Sequence, residues 1–263
     1  GYGNANHVYY WNPLTNETVN LTPDMGGYWD YYAKALNDHG DYFYYGNKKN
    51  SSEVRNNPYV YGLNNNNEYL YSPQYSTSYF IGNEGSVRFN GERALFLNDN
   101  REIAGYIKTS NRYRAVRISD ISINRDFEES TYYEETLNLV GNNNSSFPTG
   151  IDAQGNIVGW MYRDTSDGNE QFTYATARAT LWTDSEIIDL GFPDVTVRSS
   201  SIYRSSDYGL FINDNGDVVQ ISGQGVFLNQ HGIVTDLTPM ITDCIEWDAS
   251  WERWGQDMGI LAG

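Results

Sequence analysis

The chain has 263 residues, with 34 acidic against 17 basic, and a formal net charge of −17. A surface of that sign repels phosphate backbones, so nucleic-acid binding is not expected, while cations or basic partners are favoured. Aromatic residues make up 15%, with 23 Tyr and 7 Trp, and no long Leu/Ala/Glu/Lys stretch of helical period occurs, which predicts strands over a helical bundle.

The start Gly1-Tyr2-Gly3, without an initiator Met or a signal peptide, is expected of a processed or trimmed product. His7–Trp11, a turn through Pro13 and Val19-Asn20-Leu21 predict a hairpin. Tyr31–Leu36 comes nearest to a helical pattern, but it stops at once in Asn37, Asp38 and Gly40. There a recurring pattern begins: an apolar residue, Asn or Asp, two polar residues, Gly or a substitute, one further residue, then an apolar pair. Its copies are Leu36–Phe43, Leu97–Ala104, Ile151–Val158 and Ile212–Val219. Each reads as strand, tight turn, strand, because Asn and Asp make Asx hydrogen bonds and Gly takes positive φ without steric cost.

A second hairpin follows each copy. The clear cases are Ala179–Trp182 leading to Ile187–Leu190, and Gly225–Leu228 leading to Ile233–Leu237. Weaker ones are Tyr113–Ile118 with Ile121–Ile123, and Tyr59–Leu63 with Tyr69–Tyr71. Ser72–Glu92, Arg125–Phe147 and Gly191–Asp207 read as longer connections. The middle one, with Glu128, Glu129, Glu134 and Glu135 beside Tyr132 and Tyr133, reads as a solvated insertion. Trp254–Leu261 resembles a degenerate first hairpin with nothing after it, and joined to the N-terminal hairpin it completes one repeat.

Two hairpins per repeat make a four-stranded antiparallel unit. The predicted fold is therefore all-β: a single β-propeller of about five blades, closed by a blade shared between the N- and C-termini. A six-bladed alternative lets Leu63–Tyr69 head its own repeat, with Tyr79–Ile81 and Val87–Phe89 as sequel and Leu36 heading a truncated blade. Five is preferred because the spacing from Leu36 to Leu63 is short for four strands.

These blocks resemble the HAF-type extracellular repeat of bacterial secreted proteins, which reads A-x-x-I-N-x-x-G-x-V-V-G, a spacer, then A-F-L-W-x-x-G-x-M-x-D-L-G. Ile151–Gly159, Ala179–Trp182 and Asp189-Leu190-Gly191 match it well, and Asn20–Gly27 running to Ala35–Asp38 looks like its junction between repeats. Arg101 stands where Gly is usual, and Gln220 replaces the Gly after the apolar pair. The resemblance implies an extracellular or cell-surface, propeller-like protein and supplies no catalytic residues.

Chemistry is sparse in the sequence. Cys244 is the only cysteine, so an intramolecular disulfide and a Cys-based zinc site are excluded. His7, His39 and His231 sit in turn-like surroundings without metal-ligand spacing, and neither a metal nor a cofactor is expected. No apolar run is long enough for a membrane-spanning helix. Sequons occur at Asn16, Asn20, Asn50, Asn143 and Asn144, as they readily do in an Asn-rich chain. The pattern's Asn/Asp positions, Asn37, Asn98, Asp152 and Asn213 with Gly255 in the degenerate copy, are expected on the innermost strands. Only Asp152 is acidic, and a lone carboxylate is not a glycosidase pair. Ser199–Ser201 lacks a nucleophile elbow, and Asn213–Asp217 fails calcium-loop spacing.

The expected function is binding or surface structure without catalysis, toward a glycan, a protein or a neighbouring subunit, through loops and exposed aromatics. The alternative is a hydrolase joining Asp152 to Glu residues of the 128–135 insertion. A monomer is favoured, with a homopolymer by strand exchange as the other solution.

Overall fold

The computed structural model describes residues 9–12, 15, 17–20, 29–36, 42–48, 59–74, 77–90, 92–109, 112–124, 130–163, 174–198 and 209–241. Within them the chain is all-β and antiparallel throughout, apart from one short helix. Strands β1 (Tyr9–Asn12) and β2 (Glu17–Asn20) form the predicted N-terminal hairpin, and β3 (Trp29–Leu36) pairs with β4 (Tyr42–Lys48). The next sheet runs in chain order through β5 (Tyr59–Leu63), β6 (Tyr69–Gln74), β7 (Thr77–Gly82) and β8 (Gly85–Asn90).

The following sheet holds β9 (Glu92–Leu97), β10 (Ile103–Thr109), β11 (Arg112–Ser122) and β12 (Thr131–Thr136). After it come β13 (Ser145–Ile151), β14 (Ile157–Tyr162), β15 (Tyr174–Trp182) and β16 (Ile187–Asp189), with β17 (Val195–Arg198) on the same edge of β15 as a fifth strand. The last sheet is β18 (Gly209–Ile212), β19 (Val218–Ser222), β20 (Gly225–Gln230) and β21 (Ile233–Asp236). Helix α1 (Thr238–Ile241) follows, capped by Asp236, whose Oδ1 accepts the Thr238 N–H at 2.8 Å. Hydrogen bonds from the Thr238 hydroxyl and backbone hold the Asp236 carboxyl below its ordinary range.

From the β3–β4 sheet onward, the first strand of one sheet neighbours the first strand of the next: β3 lies by β5, β5 by β9, β9 by β13, and β13 by β18. Apolar layers fill the spaces between successive sheets. Leu70, Phe80 and Phe89 meet Ala94, Ile103 and Ile118 in one layer, and Ala104 and Ala115 meet Ile157, Met161 and Trp182 in another. A third layer joins Tyr106 and Phe147 to Trp160, Leu210 and Val218. Strand β14 is buried at every position because it is covered on both faces: Val158, Trp160 and Tyr162 enter one layer, Ile157 and Met161 another.

A β-bulge recurs in the first strand of four successive sheets, between Ala33/Ala35, Val60/Gly62, Ala104/Gly105 and Pro148/Gly150 in the paired registers. The extra residues, Lys34, Tyr61, Leu95 and Thr149, each precede the Asn or Asp of the turn by the same interval. Opposite two of the bulges stands a glycine with no room for a side chain, Gly105 and Gly159, and opposite the other two stand Tyr44 and Tyr71. A Cβ on Gly105 would stand 2.5 Å from the Arg93 carbonyl oxygen, and one on Gly159 would collide with that of Phe147. Strand β18 pairs with β19 without a bulge, and there Gln220 takes the place of the glycine.

The structure corrects several sequence expectations. Tyr59–Leu63 and Tyr69–Tyr71 are not the second hairpin of an earlier repeat; they are the first hairpin of their own sheet, as the six-repeat alternative has it. Ser72–Glu92 contains β7 and β8 and is no connection. Its strands bury Ser78 and Ser86 beside Phe80, Val87 and Phe89, so polar residues mask the alternation. Tyr113–Ile118 and Ile121–Ile123 are not two strands. Most of both lies in the continuous β11, irregular between Ser119 and Ser122, with Asp120 at φ 51°. Arg125–Phe147 supplies β12 and the start of β13, and Gly191–Asp207 supplies β17. The proposed C-terminal hairpin Trp254–Leu261 lies outside the described residues.

Candidate functional site

The turn residues singled out by the repeat prove to be structural. Asn64, Asn98, Asp152 and Asn213 each use Oδ1 to accept backbone N–H groups two and four residues on. The donors are Asn66 and Glu68, Asn100 and Glu102, Gln154 and Asn156, and Asn215 and Asp217, at 2.8–3.1 Å. The residue three positions on takes positive φ in each: Asn67 60°, Arg101 63°, Gly155 80° and Gly216 78°. The fifth residue then closes the turn side chain to side chain. Asn64, Asn98 and Asn213 donate Nδ2 to Glu68, Glu102 and Asp217, whereas Asp152 accepts from Asn156 Nδ2 at 2.8 Å. Donor and acceptor have exchanged positions in that copy, and the pair survives. Asn37 and Gly255 lie outside the described residues.

Successive turns are laddered together. Asn64 Nδ2 reaches the Asn98 carbonyl at 3.3 Å, and Asn98 Nδ2 reaches that of Asp152 at 2.9 Å. Asp99 accepts the Asn65 N–H, and Asp214 accepts the Ala153 N–H, at 2.7 and 2.9 Å. Arg101, the departure from the repeat, pairs with Glu68 of the preceding turn through Nη2 at 2.7 Å and Nε at 3.1 Å. Glu68 is buried, so the arginine neutralises a charge that has no access to water. In the next turn Glu102 occupies the corresponding place over Gly155, where a Cβ would stand 2.6 Å from Oε2. Asp152, 1% exposed, is thus committed to its turn, which removes the named carboxylate of the hydrolase alternative from solvent.

Open chemistry lies elsewhere, around residues 137–144 between β12 and β13. This segment is pinned at both ends: Leu137 N–H to Ala115 O at 2.9 Å, Asn144 N–H to Tyr162 O at 3.2 Å. Between them Trp182 Nε1 donates to Asn138 O at 2.9 Å, and Gly141 turns the chain at φ 62°. Against β15 and β16 the segment leaves two adjoining cavities of about 360 and 350 Å³, which share Val140 and Ile187. One is lined by Asn142, Asn143, Thr176, Arg178, Asp189 and Asp194, the other by Glu135, Asn138, Trp182, Asp184 and Glu186. Arg178 bridges Asp189 and Asp194, 3.4 Å from each, with more than half its side chain exposed. Arg117 reaches Asp184 at 2.5 Å, Glu135 at 3.8 Å and the Gly155 carbonyl at 3.0 Å, tying the cleft wall to the turn ladder. The base of the cleft is fixed to the last sheet by three amides: Asn229 on Leu190 O, Gln220 on Pro193 O and Gln224 on Asp194 O.

The 128–135 segment behaves differently from a solvated insertion. Strand β12 is the outer strand of its sheet, and Tyr132 packs edge-on to Phe89 of the preceding sheet with ring centroids 5.0 Å apart. Tyr133 is 58% exposed, while Glu128 and Glu129 lie outside the described residues. Among the other sequence candidates, His231 is an exposed turn residue at φ 53°, and Asn20 is exposed on β2. Asn143 and Asn144 belong to the cleft segment, where Ser145 and Ser146 of their sequons are buried. His7, His39, Cys244, Asn16, Asn50 and Ser199–Ser201 fall outside the described residues. Among the described residues no cluster of three or more His, Cys, Asp or Glu is arranged to hold a metal, and no helix is long and apolar enough to cross a membrane.

Sequence reasoning missed the cleft, because Arg178 and Asp194 belong to no repeat position, Asp189 reads only as part of the repeat, and the three meet only in the fold. No family model matches the chain, and no curated protein matches it. The resemblance to the HAF-type repeat therefore stands on the quoted residues alone.

Proposed function

We propose that this chain is a propeller-type binding module, extracellular or on the cell surface and without catalysis of its own, that holds a macromolecular partner in the cleft between residues 137–144 and β15–β16. The observation that carries this reading is the cleft itself. It is a pair of adjoining recesses with hydrogen-bonding groups that share an apolar wall at Val140 and Ile187, in a molecule whose repeat side chains are spent on turns. The propeller assignment is supported by the succession of first strands and the ladder that links their turns. The sheet headed by Asn64 favours six repeats over five. The HAF-like blocks support an extracellular setting.

Thr176 is exposed on β15 and lines the cleft, so Thr176→Trp obstructs it without entering the core. Glycan and peptide arrays probed with the parent and with Thr176→Trp test the reading: a ligand bound by the parent and lost by the variant supports it. Turnover in a broad hydrolase screen that survives Thr176→Trp would replace it with an enzyme acting elsewhere.

A further inference from the structure

The cleft carries unbalanced charge. Arg117 offsets Asp184, and Arg178 is shared between Asp189 and Asp194. Glu135 lies 3.8 Å from an arginine already engaged by Asp184, and Glu186 has no ion-pair partner among the described residues. The lining is therefore net negative within a chain of net charge −17. A second feature adjoins it. On β12 Glu135 is paired opposite Arg117 and Tyr133 opposite Ser119, so by strand alternation Tyr133 and Glu135 share one face. Tyr133 is the exposed aromatic on that face, two residues along β12 from the cleft-lining Glu135, whereas Tyr132 on the other face is used against Phe89.

We propose that the occupant of the cleft is an extended, basic segment of a partner protein. One Arg or Lys lies over the Tyr133 ring with its head toward Glu135 and Glu186, and an apolar side chain rests on Val140 and Ile187. This rests on the reading of the cleft as the ligand surface and names its ligand class. An aromatic face beside carboxylates attracts a guanidinium or ammonium through ring quadrupole and charge together. Val140, 49% exposed at the joint of the two cavities, gives an apolar residue of such a segment its own place. A glycan fits less well: Trp182, the aromatic in the cleft lining, is 2% exposed and offers no open face for a sugar ring, and the negative lining repels acidic glycans.

The test uses a fluorescent peptide alternating Arg and Val, and its counterpart with Gln for Arg, titrated with the whole protein by anisotropy at low and moderate salt. Binding of the Arg peptide alone is expected. Glu135→Gln with Glu186→Gln should weaken it about tenfold, on the scale of one lost close charge pair. Tyr133→Ala should weaken it severalfold, and Glu84→Gln, an exposed acid on the β7–β8 turn, should leave it unchanged. Equal loss with Glu84→Gln, or none with the cleft variants, overturns the proposal, since the attraction would then be the general field of the molecule. Failure of the Arg peptide alongside a neutral or glycan ligand that Thr176→Trp abolishes sinks the basic-segment assignment and leaves the binding cleft standing. If no ligand of any class responds to Thr176→Trp, both readings fall.

Discussion

Asp152 shows how one carboxylate can look functional in sequence and be structural in the fold. Its Oδ1 takes two backbone N–H groups and its Oδ2 takes the Asn156 amide, so the side chain replaces hydrogen bonds that the tight turn would otherwise leave unmade. Asp152→Asn keeps the acceptor for both N–H groups, and the Asn156 amide can rotate to meet the new donor. That variant should lose less than about 1 kcal/mol in urea unfolding. Asp152→Ala strands both N–H groups and should lose about 2 kcal/mol or more. Equal midpoints for the two variants would show that the Asx bonds do not hold the turn. The turn itself was legible from Asn, Asp and Gly spacing, because it is closed by side chains of the same short segment. The ladder was not, because Asn98 finds Asp152 only after two sheets have come together.

At the scale of the element, departures from the repeat have physical causes in neighbouring strands. Arg101 occupies a positive-φ position that favours glycine, and it is kept there by the paired, buried Glu68. Arg101→Gly relieves the backbone and leaves a buried carboxylate whose remaining side-chain partner among the described residues is the Asn64 amide. A net destabilisation of about 2 kcal/mol is expected, measured by denaturant midpoint. Adding Glu68→Gln should recover part of it, and a stabilised single variant would show that the backbone strain outweighs the ion pair. Gln220 is the complementary case. The side chain is buried in β19, and it spends its amide on the Pro193 carbonyl. Strands β7 and β8 were legible only in part, as the Tyr79–Ile81 and Val87–Phe89 of the six-repeat alternative, for a related reason. Their buried faces include Ser78 and Ser86, and Ser78 Oγ accepts the Ala94 N–H from the next sheet. Polar residues on a core face blur alternation when their partners lie on another sheet.

For the whole molecule, stability is shared among layers that belong to no single sheet, since each apolar layer is made by two or more successive sheets. If the two ends complete one repeat, deleting residues 258–263 should lower the melting temperature of the entire molecule by about 5 °C or more, with a monomer in sedimentation before and after. An unchanged melting temperature would refute the shared repeat, and ordered polymers lost on truncation would favour strand exchange between chains. The sequence by itself determined the all-β class, the repeated turn and the positions of most first hairpins. Those depend on side-chain alternation and on turn chemistry closed within a few residues. Tertiary structure alone decided that Leu63–Tyr69 heads a sheet, that β12 covers its neighbour through Tyr132, and that Glu135, Val140, Arg178 and Asp194 share one cleft. These residues come from separate strands and connections, and their meeting depends on how strands and sheets pack, which no local pattern records.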